Sequence, residues 1–189
     1  MTPLDFILQR VSTPANYLDA PAPNREQLHT ILQAGTAAPD HCALRPWKFI
    51  VIEGDARHKL GDVFVEATRL RDPDWPQDRL EMMRKKPLRA PMIIAVIADI
   101  TPDHNKAPEV EQLLSAGAAA QQILLAATAM GFGAIWLTGP NARDAHVKGA
   151  LGLAEKDHIV GFIYVGTSSK ERIAVSRPDP NDFLTHWQG

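Results

Sequence analysis

The chain has 189 residues, 20 Lys and Arg against 22 Asp and Glu, and 45% hydrophobic residues. That length and composition suit one globular domain that buries a core without metal or disulfide staples. A net charge of −2, with no basic stripe and no acidic run, argues against nucleic-acid binding. Cys42 is the one cysteine, so an internal disulfide is excluded and a reducing compartment fits. The first ten residues lack the charged start, apolar stretch and cleavage site of a signal peptide. Ser115 to Met130 is the most apolar long stretch, but it contains Gln121 and Gln122 and falls short of a membrane span. These features predict a soluble, cytoplasmic protein with no membrane partner.

Leu4 to Gln9 reads as a short amphipathic helix. Pro14, Pro21 and Pro23 predict extended chain from Thr13 to Asn24. Asn24 can cap a helix, with Gln27 in the capping-box position and Leu28, Ile31 and Leu32 as the buried stripe. Gly35 to Pro39 ends it. Phe49 to Ile52 reads as a strand stopped by Glu53-Gly54-Asp55. Leu60, Val63, Phe64 and Ala67 recur at helical spacing, and another helix is predicted over Gln77 to Lys86, framed by Pro87 and Pro91. Met92 to Ala98 is apolar throughout, as in a strand buried on both faces.

After a polar loop from Thr101 to Pro108, a long helix is predicted from Glu109 to Met130. Its Ala-rich second half is apolar nearly all round, which predicts burial and close packing. Gly131 caps its end. A strand from Ala134 to Leu137, a helix from Arg143 to Leu151 and a strand from Ile159 to Val165 follow. Residues 167–189 form a tail with Lys170, Arg172 and Arg177, then Phe183 and Trp187. A polar tail ending in large aromatics is expected to dock on something. The order of elements gives an α+β domain in three layers, a sheet between helices; strand direction does not follow from it.

Familiar catalytic motifs are missing. There is no Walker loop, and Gly131-Phe132-Gly133 follows a helix and precedes a strand, the reverse of a dinucleotide-binding turn. There is no Gly-x-Ser-x-Gly elbow. Seven histidines show no metal-ligand spacing, so no metal site is expected. His41 beside Cys42 does not make a nucleophile and base, because adjacent side chains rarely face each other.

Three stretches, taken together in order and spacing, resemble the nitroreductase family. They are Arg10-Val11-Ser12; Ala38-Pro39-Asp40-His41 with Arg45-Pro46-Trp47; and Ser115-Ala116-Gly117 leading to Gly131-Phe132-Gly133-Ala134-Ile135-Trp136 and Ile159 to Gly166. The resemblance spans about Leu4 to Phe183, most closely with the small one-domain branch. It implies a nitroreductase-like three-layer α/β/α fold around a central mixed sheet, dimeric through the long helix, with FMN at each subunit interface. It implies electrons from NADH or NADPH and reduction of nitroaromatics, quinones or similar small acceptors. A flavin carries the redox step itself, which accounts for the lack of an acid–base constellation.

The resemblance also assigns cofactor-binding positions. Arg10 and Ser12 match phosphate-binding positions, where a guanidinium fork and a hydroxyl suit the FMN phosphate. Read alone, the same two residues are an ordinary helix end. Val11 stands where the family carries a second Arg, so it offers a backbone group only; Arg172 or Arg177 in the tail is expected to replace the lost charge. A flavin-binding member without turnover is the alternative this stretch leaves. His41 matches a position that reaches the flavin of the partner subunit. Ala37 stands where the nearest branch has Arg, with Arg45 as a substitute cation. Trp136, Leu137 and Thr138 match the segment along the isoalloxazine; Thr138 offers a hydroxyl at a strand end, while Trp136 also reads as a core aromatic.

Overall fold

The structure is a computed structural model that describes residues 2–171 and 175–189. Six α-helices and five strands are described: α1 Pro3–Gln9, β1 Leu18–Asp19, α2 Arg25–Gly35, β2 Trp47–Glu53, α3 Ala56–Arg71, α4 Gln77–Lys85, β3 Met92–Ala98, α5 Glu109–Ala129, β4 Gly133–Leu137, α6 Ala145–Ala150 and β5 His158–Ser168. The capping box at Asn24 is made as expected: its side chain accepts from Gln27 N at 2.9 Å, and Gln27 Oε1 accepts from Asn24 N at 2.9 Å. A second box, Thr2 with Asp5, starts α1. Gly131 turns from α5 to β4 at φ 87°, a left-handed conformation that glycine adopts without steric cost.

β3 has all seven residues buried. β2 and β5 pair with it on either side; β4 pairs with the other edge of β5, and β1 adds two residues at the end of β5. Alternation along β3 feeds two cores. Ile93, Ala95 and Ile97 pack with Leu60, Phe64 and Val147 on the α3–α6 face. Ile94 and Val96 pack with Ile31, Ile123 and Leu124 on the α2–α5 face. The three β3 isoleucines are fully buried, each contributing about 1.5–3 kcal/mol of hydrophobic stabilisation. This is the three-layer arrangement expected.

The sheet departs from the mixed one expected: every pairing among the described strands is antiparallel. The cause lies in the connections. A single crossover helix returns the chain to the start of the strand it left and gives a parallel neighbour. Between β2 and β3 there are two helices, with the start of α3 beside the end of α4, where Arg84 pairs with Asp62. That out-and-back path returns the chain to the end where β2 finished. α5 does make a single crossover, so β3 and β4 run the same way, but β5 is inserted between them.

Three smaller differences are local. Extended chain after Thr13 includes a 3₁₀ turn at Ala15–Tyr17. α6 starts at Ala145, because Asp144 accepts from His146 N and Val147 N as its cap. β5 runs on to Ser168, because Thr167 and Ser168 pair with Asp19 and Leu18.

Candidate cofactor site

Arg10, Val11 and Ser12 lie between α1 and the edge of β4, where Thr13 N donates to Ala134 O at 3.0 Å. Arg10 is half-buried and its Nη1 is 3.5 Å from Ser12 Oγ. Burial, and then the nearby Arg177 guanidinium, push the Arg10 pKa down. Arg177 comes from the tail, and its Nη2 donates to the carbonyl of Arg10. Arg10 has no carboxylate partner among the described residues. Two cations brought together, one of them partly desolvated, favour an anion between them. A shallow cleft of about 200 Å³ lies beside them, lined by Val11, Ser12, Lys170 and Glu171 among others. Arg172, the other tail cation singled out from the sequence, lies outside the described residues.

Leu137 and Thr138 lie at the far end of β4. Thr138 lies four positions beyond Ala134, about 13 Å of extended chain. Both line a cleft of about 350 Å³ whose polar groups come from Lys86, Arg89, Thr138, Asn141 and Tyr164. Arg89 holds its guanidinium over the Tyr164 ring at 5.4 Å, and its Nε donates to Lys86 O at 3.1 Å. Burial and then Arg89 lower the Lys86 pKa; burial raises that of Tyr164. No carboxylate lines this cleft.

Trp136 is turned away from it. Strand alternation places its indole with the α2–α5 core, where Nε1 donates to Val160 O at 3.2 Å, while Leu137 packs on the opposite face. His41 lies elsewhere again. Its Nδ1 is 2.6 Å from Glu111 Oε2 on α5, and it lines a third cleft with Asp40 and Leu114. The loop that carries it is strained: Cys42, Ala43 and Arg45 have φ of 64°, 54° and 52°. Such non-glycine conformations cost on the order of 1–3 kcal/mol each. Arg45 N donates to Asp40 Oδ2 at 2.7 Å, while Asp40 Oδ1 is buried without a partner. Ala37 is exposed just past α2 and presents only a methyl group.

Within one chain, the residues singled out from the sequence therefore fall on three separate surfaces. Lys86, Arg89 and Asn141 were not foreseen. Lys86 and Arg89 sit just past a helix C-terminus, where cations also suit the helix dipole, so their pattern along the chain carries no sign of a site.

Residues 7–167 match the model of the Nitroreductase family, and the chain belongs to that family. An Escherichia coli (strain K12) protein named "Putative NAD(P)H nitroreductase YdjA" is 40% identical over 188 residues, 99% of this chain and all of the relative. A Haemophilus influenzae "Putative NAD(P)H nitroreductase" is 37% identical over 170 residues, covering 89% and 91% of the two chains. The crystal structure of a nitroreductase-like family protein from Bacillus cereus superposes with a TM-score of 0.85 at 22% identity, covering 100% and 97%, which shows the fold. A Desulfovibrio desulfuricans protein described as a "putative nitroreductase in complex with fmn" gives a TM-score of 0.74 at 26% identity, covering 100% and 99%.

Proposed function

We propose that this chain is an FMN-dependent oxidoreductase that takes electrons from NADH or NADPH and reduces a small acceptor such as a nitroaromatic or a quinone. The observation that carries this reading is half-buried Arg10, joined by Arg177 beside Ser12 and without a described carboxylate partner. That donor set fits a phosphate monoester. The FMN bound by the Desulfovibrio relative supports the same ligand here. FMN, when bound, supplies the two-electron chemistry, and the protein holds and polarises it.

In this reading Arg10 and Ser12 grip the phosphate, Val11 contributes backbone alone, and Arg177 restores the charge that Val11 lacks. Leu137 and Thr138 bound the ring end; Trp136 stiffens β4 from the core side. Ala37 offers no polar contact. Lys86 and Arg89 make the cleft that Leu137 and Thr138 also line positive, which favours negative charge on whatever occupies it.

The working form is a homodimer with FMN at the subunit interface. Leu4, Ile7 and Leu8 on α1 are 63%, 54% and 57% exposed, and α1 buries no residue at all. Val110 and Leu114 on α5 are also exposed, as are Phe183 and Trp187 in the tail. Apolar surface of this extent calls for a partner, and a second copy with its own tail supplies matching faces. The strained His41 loop beside exposed Leu114 then reaches the partner's site, and the end of the tail, with Phe183 and Trp187, docks there.

The test is the visible spectrum of the purified protein, before and after NADPH or NADH under nitrogen. Flavin bands that bleach, and return on adding a nitroaromatic or a quinone, are expected. Flavin that never bleaches identifies a flavin-binding member without turnover. A protein that takes up no added FMN overturns the reading.

A further inference from the structure

One face of α4 carries an open cleft of its own. Asp78, Arg79, Met82, Met83 and Lys86 recur there at helical spacing, and Trp75 stands just before the helix. Together they line a space of about 400 Å³. The helix is anchored on other sides: Leu80 is the residue it buries, and Arg84 reaches back to Asp62 on α3. Met82 is 67% exposed.

The strip has polar groups that the described residues leave unused. The indole Nε1 of Trp75 is buried without an acceptor among them. A buried tryptophan N–H usually has a partner, and leaving it without one costs about 1–3 kcal/mol. An acceptor on a bound ligand regains that once the half-buried ring turns toward the cleft. Arg79 and Lys86 are exposed, and neither has a carboxylate partner among the described residues. Asp78 is the carboxylate that lines the cleft, and it sits in the first turn of α4, where the helix dipole favours it.

The strip adjoins the ring end of the proposed flavin site, since Met83 and Lys86 also line the cleft of Leu137 and Thr138. A nicotinamide dinucleotide that delivers electrons to a ring held there must lay its adenylate half on the surface beside it. The order of groups along α4 matches the order of groups in that half. Trp75 offers an aromatic surface for adenine. Arg79, one turn on, offers a guanidinium fork for a ribose phosphate. Lys86 lies seven positions beyond Arg79, about 10 Å along the helix, and offers a charge for the pyrophosphate next to the ring. Two cations against one carboxylate favour the dinucleotide with the extra phosphate.

We infer that α4 holds the adenylate half of the nicotinamide co-substrate, with Arg79 on the 2′-phosphate, so that the chain uses NADPH in preference to NADH. This rests on the proposed oxidoreductase reading and narrows its electron donor to one.

Adenosine 2′,5′-bisphosphate and adenosine 5′-monophosphate serve as probes, titrated by calorimetry into the full-length protein saturated with FMN. They share the nucleoside and differ in the 2′-phosphate. The bisphosphate is expected to bind at least about 10-fold more tightly, the effect of one charge-assisted hydrogen bond. Arg79→Gln, at an exposed position, should erase that difference. Trp75→Ala should weaken both probes alike by about 10-fold, the loss of one stacked base. With a quinone as acceptor, Arg79→Gln should raise KM for NADPH about 10-fold and KM for NADH less than about twofold, since only the former has the contact to lose. If Trp75→Ala fails to fold, Arg79→Gln carries the test.

Equal affinity of the wild-type protein for the two probes overturns the inference, as does an Arg79→Gln protein that still prefers the bisphosphate. A protein that binds the bisphosphate through Arg79 while its flavin bleaches with neither nicotinamide keeps the adenylate strip and removes the oxidoreductase reading alone. Bleaching by NADH and NADPH alike, with no preference between the probes, keeps that reading and removes the strip.

Discussion

Gly61→Ala sets two opposing effects against each other. Gly61 lies inside α3, where alanine is favoured over glycine by about 1 kcal/mol. A Cβ at Gly61, however, would lie 2.3 Å from the carbonyl oxygen of Arg84 and 3.2 Å from its carbon. The obstacle is backbone, so no rotamer change relieves it; α4 must retreat by roughly 1 Å to reach ordinary contact. Overpacking of this kind costs about 1–3 kcal/mol. A rigid obstacle puts it at the upper end, leaving a net loss of about 2 kcal/mol after the helix gain. For a chain of this size that lowers Tm by about 4–8 °C. α4 also carries Met83, which faces Asn141, so the cleft at the end of β4 should widen. Gly149→Ala in α6 is the control, since its Cβ meets nothing within 4 Å. There the helix gain stands alone, and Tm should rise by up to about 4 °C. Thermal unfolding followed by circular dichroism measures both. A Gly61→Ala protein as stable as wild type would refute the close α3–α4 packing on which the cleft wall depends.

Arg10→Gln should weaken FMN about 10- to 100-fold in a fluorescence titration, the loss of a charge-assisted hydrogen bond to phosphate; unchanged affinity would remove Arg10 from the cradle. Leu114→Glu, at a position 68% exposed on α5, should convert a dimer to monomer in sedimentation velocity, and a variant that stays dimeric would place the interface elsewhere. The Asp99 carboxyl would be raised by burial, but bonds and charge from Lys48 and Lys156 outweigh that and hold it below the ordinary range. Its contribution to stability is therefore present above about pH 4 and lost as pH falls through the depressed value. Lys156→Met should flatten that acid limb of the stability–pH curve; an unaltered limb would show that Lys156 does not hold the carboxylate.

Local chemistry was largely legible in the sequence. The Asn24–Gln27 box, the apolar run of Met92–Ala98, and the Gly131 end of α5 each depend on neighbours a few residues apart, which the sequence displays directly. The ordered stretches Arg10-Val11-Ser12, Pro39-Asp40-His41 and Gly131-Phe132-Gly133 were enough to point to the family that residues 7–167 match.

What the sequence could not show depends on elements far apart in the chain. A sheet antiparallel at each described pairing follows from α3 and α4 folding back together and from β5 entering between β3 and β4. Trp136 and Leu137 were read together, yet strand alternation sends them to opposite cores. Arg177 meets Arg10 across 167 positions, and Arg71 meets Asn141 across 70. The sequence by itself determined the helices, strands, caps and family of this protein, because those rest on local periodicity and motif spacing. Only the tertiary structure decided which cations share a cradle and which amide faces the cleft, because such encounters are set by how helices and strands pack and not by their order along the chain.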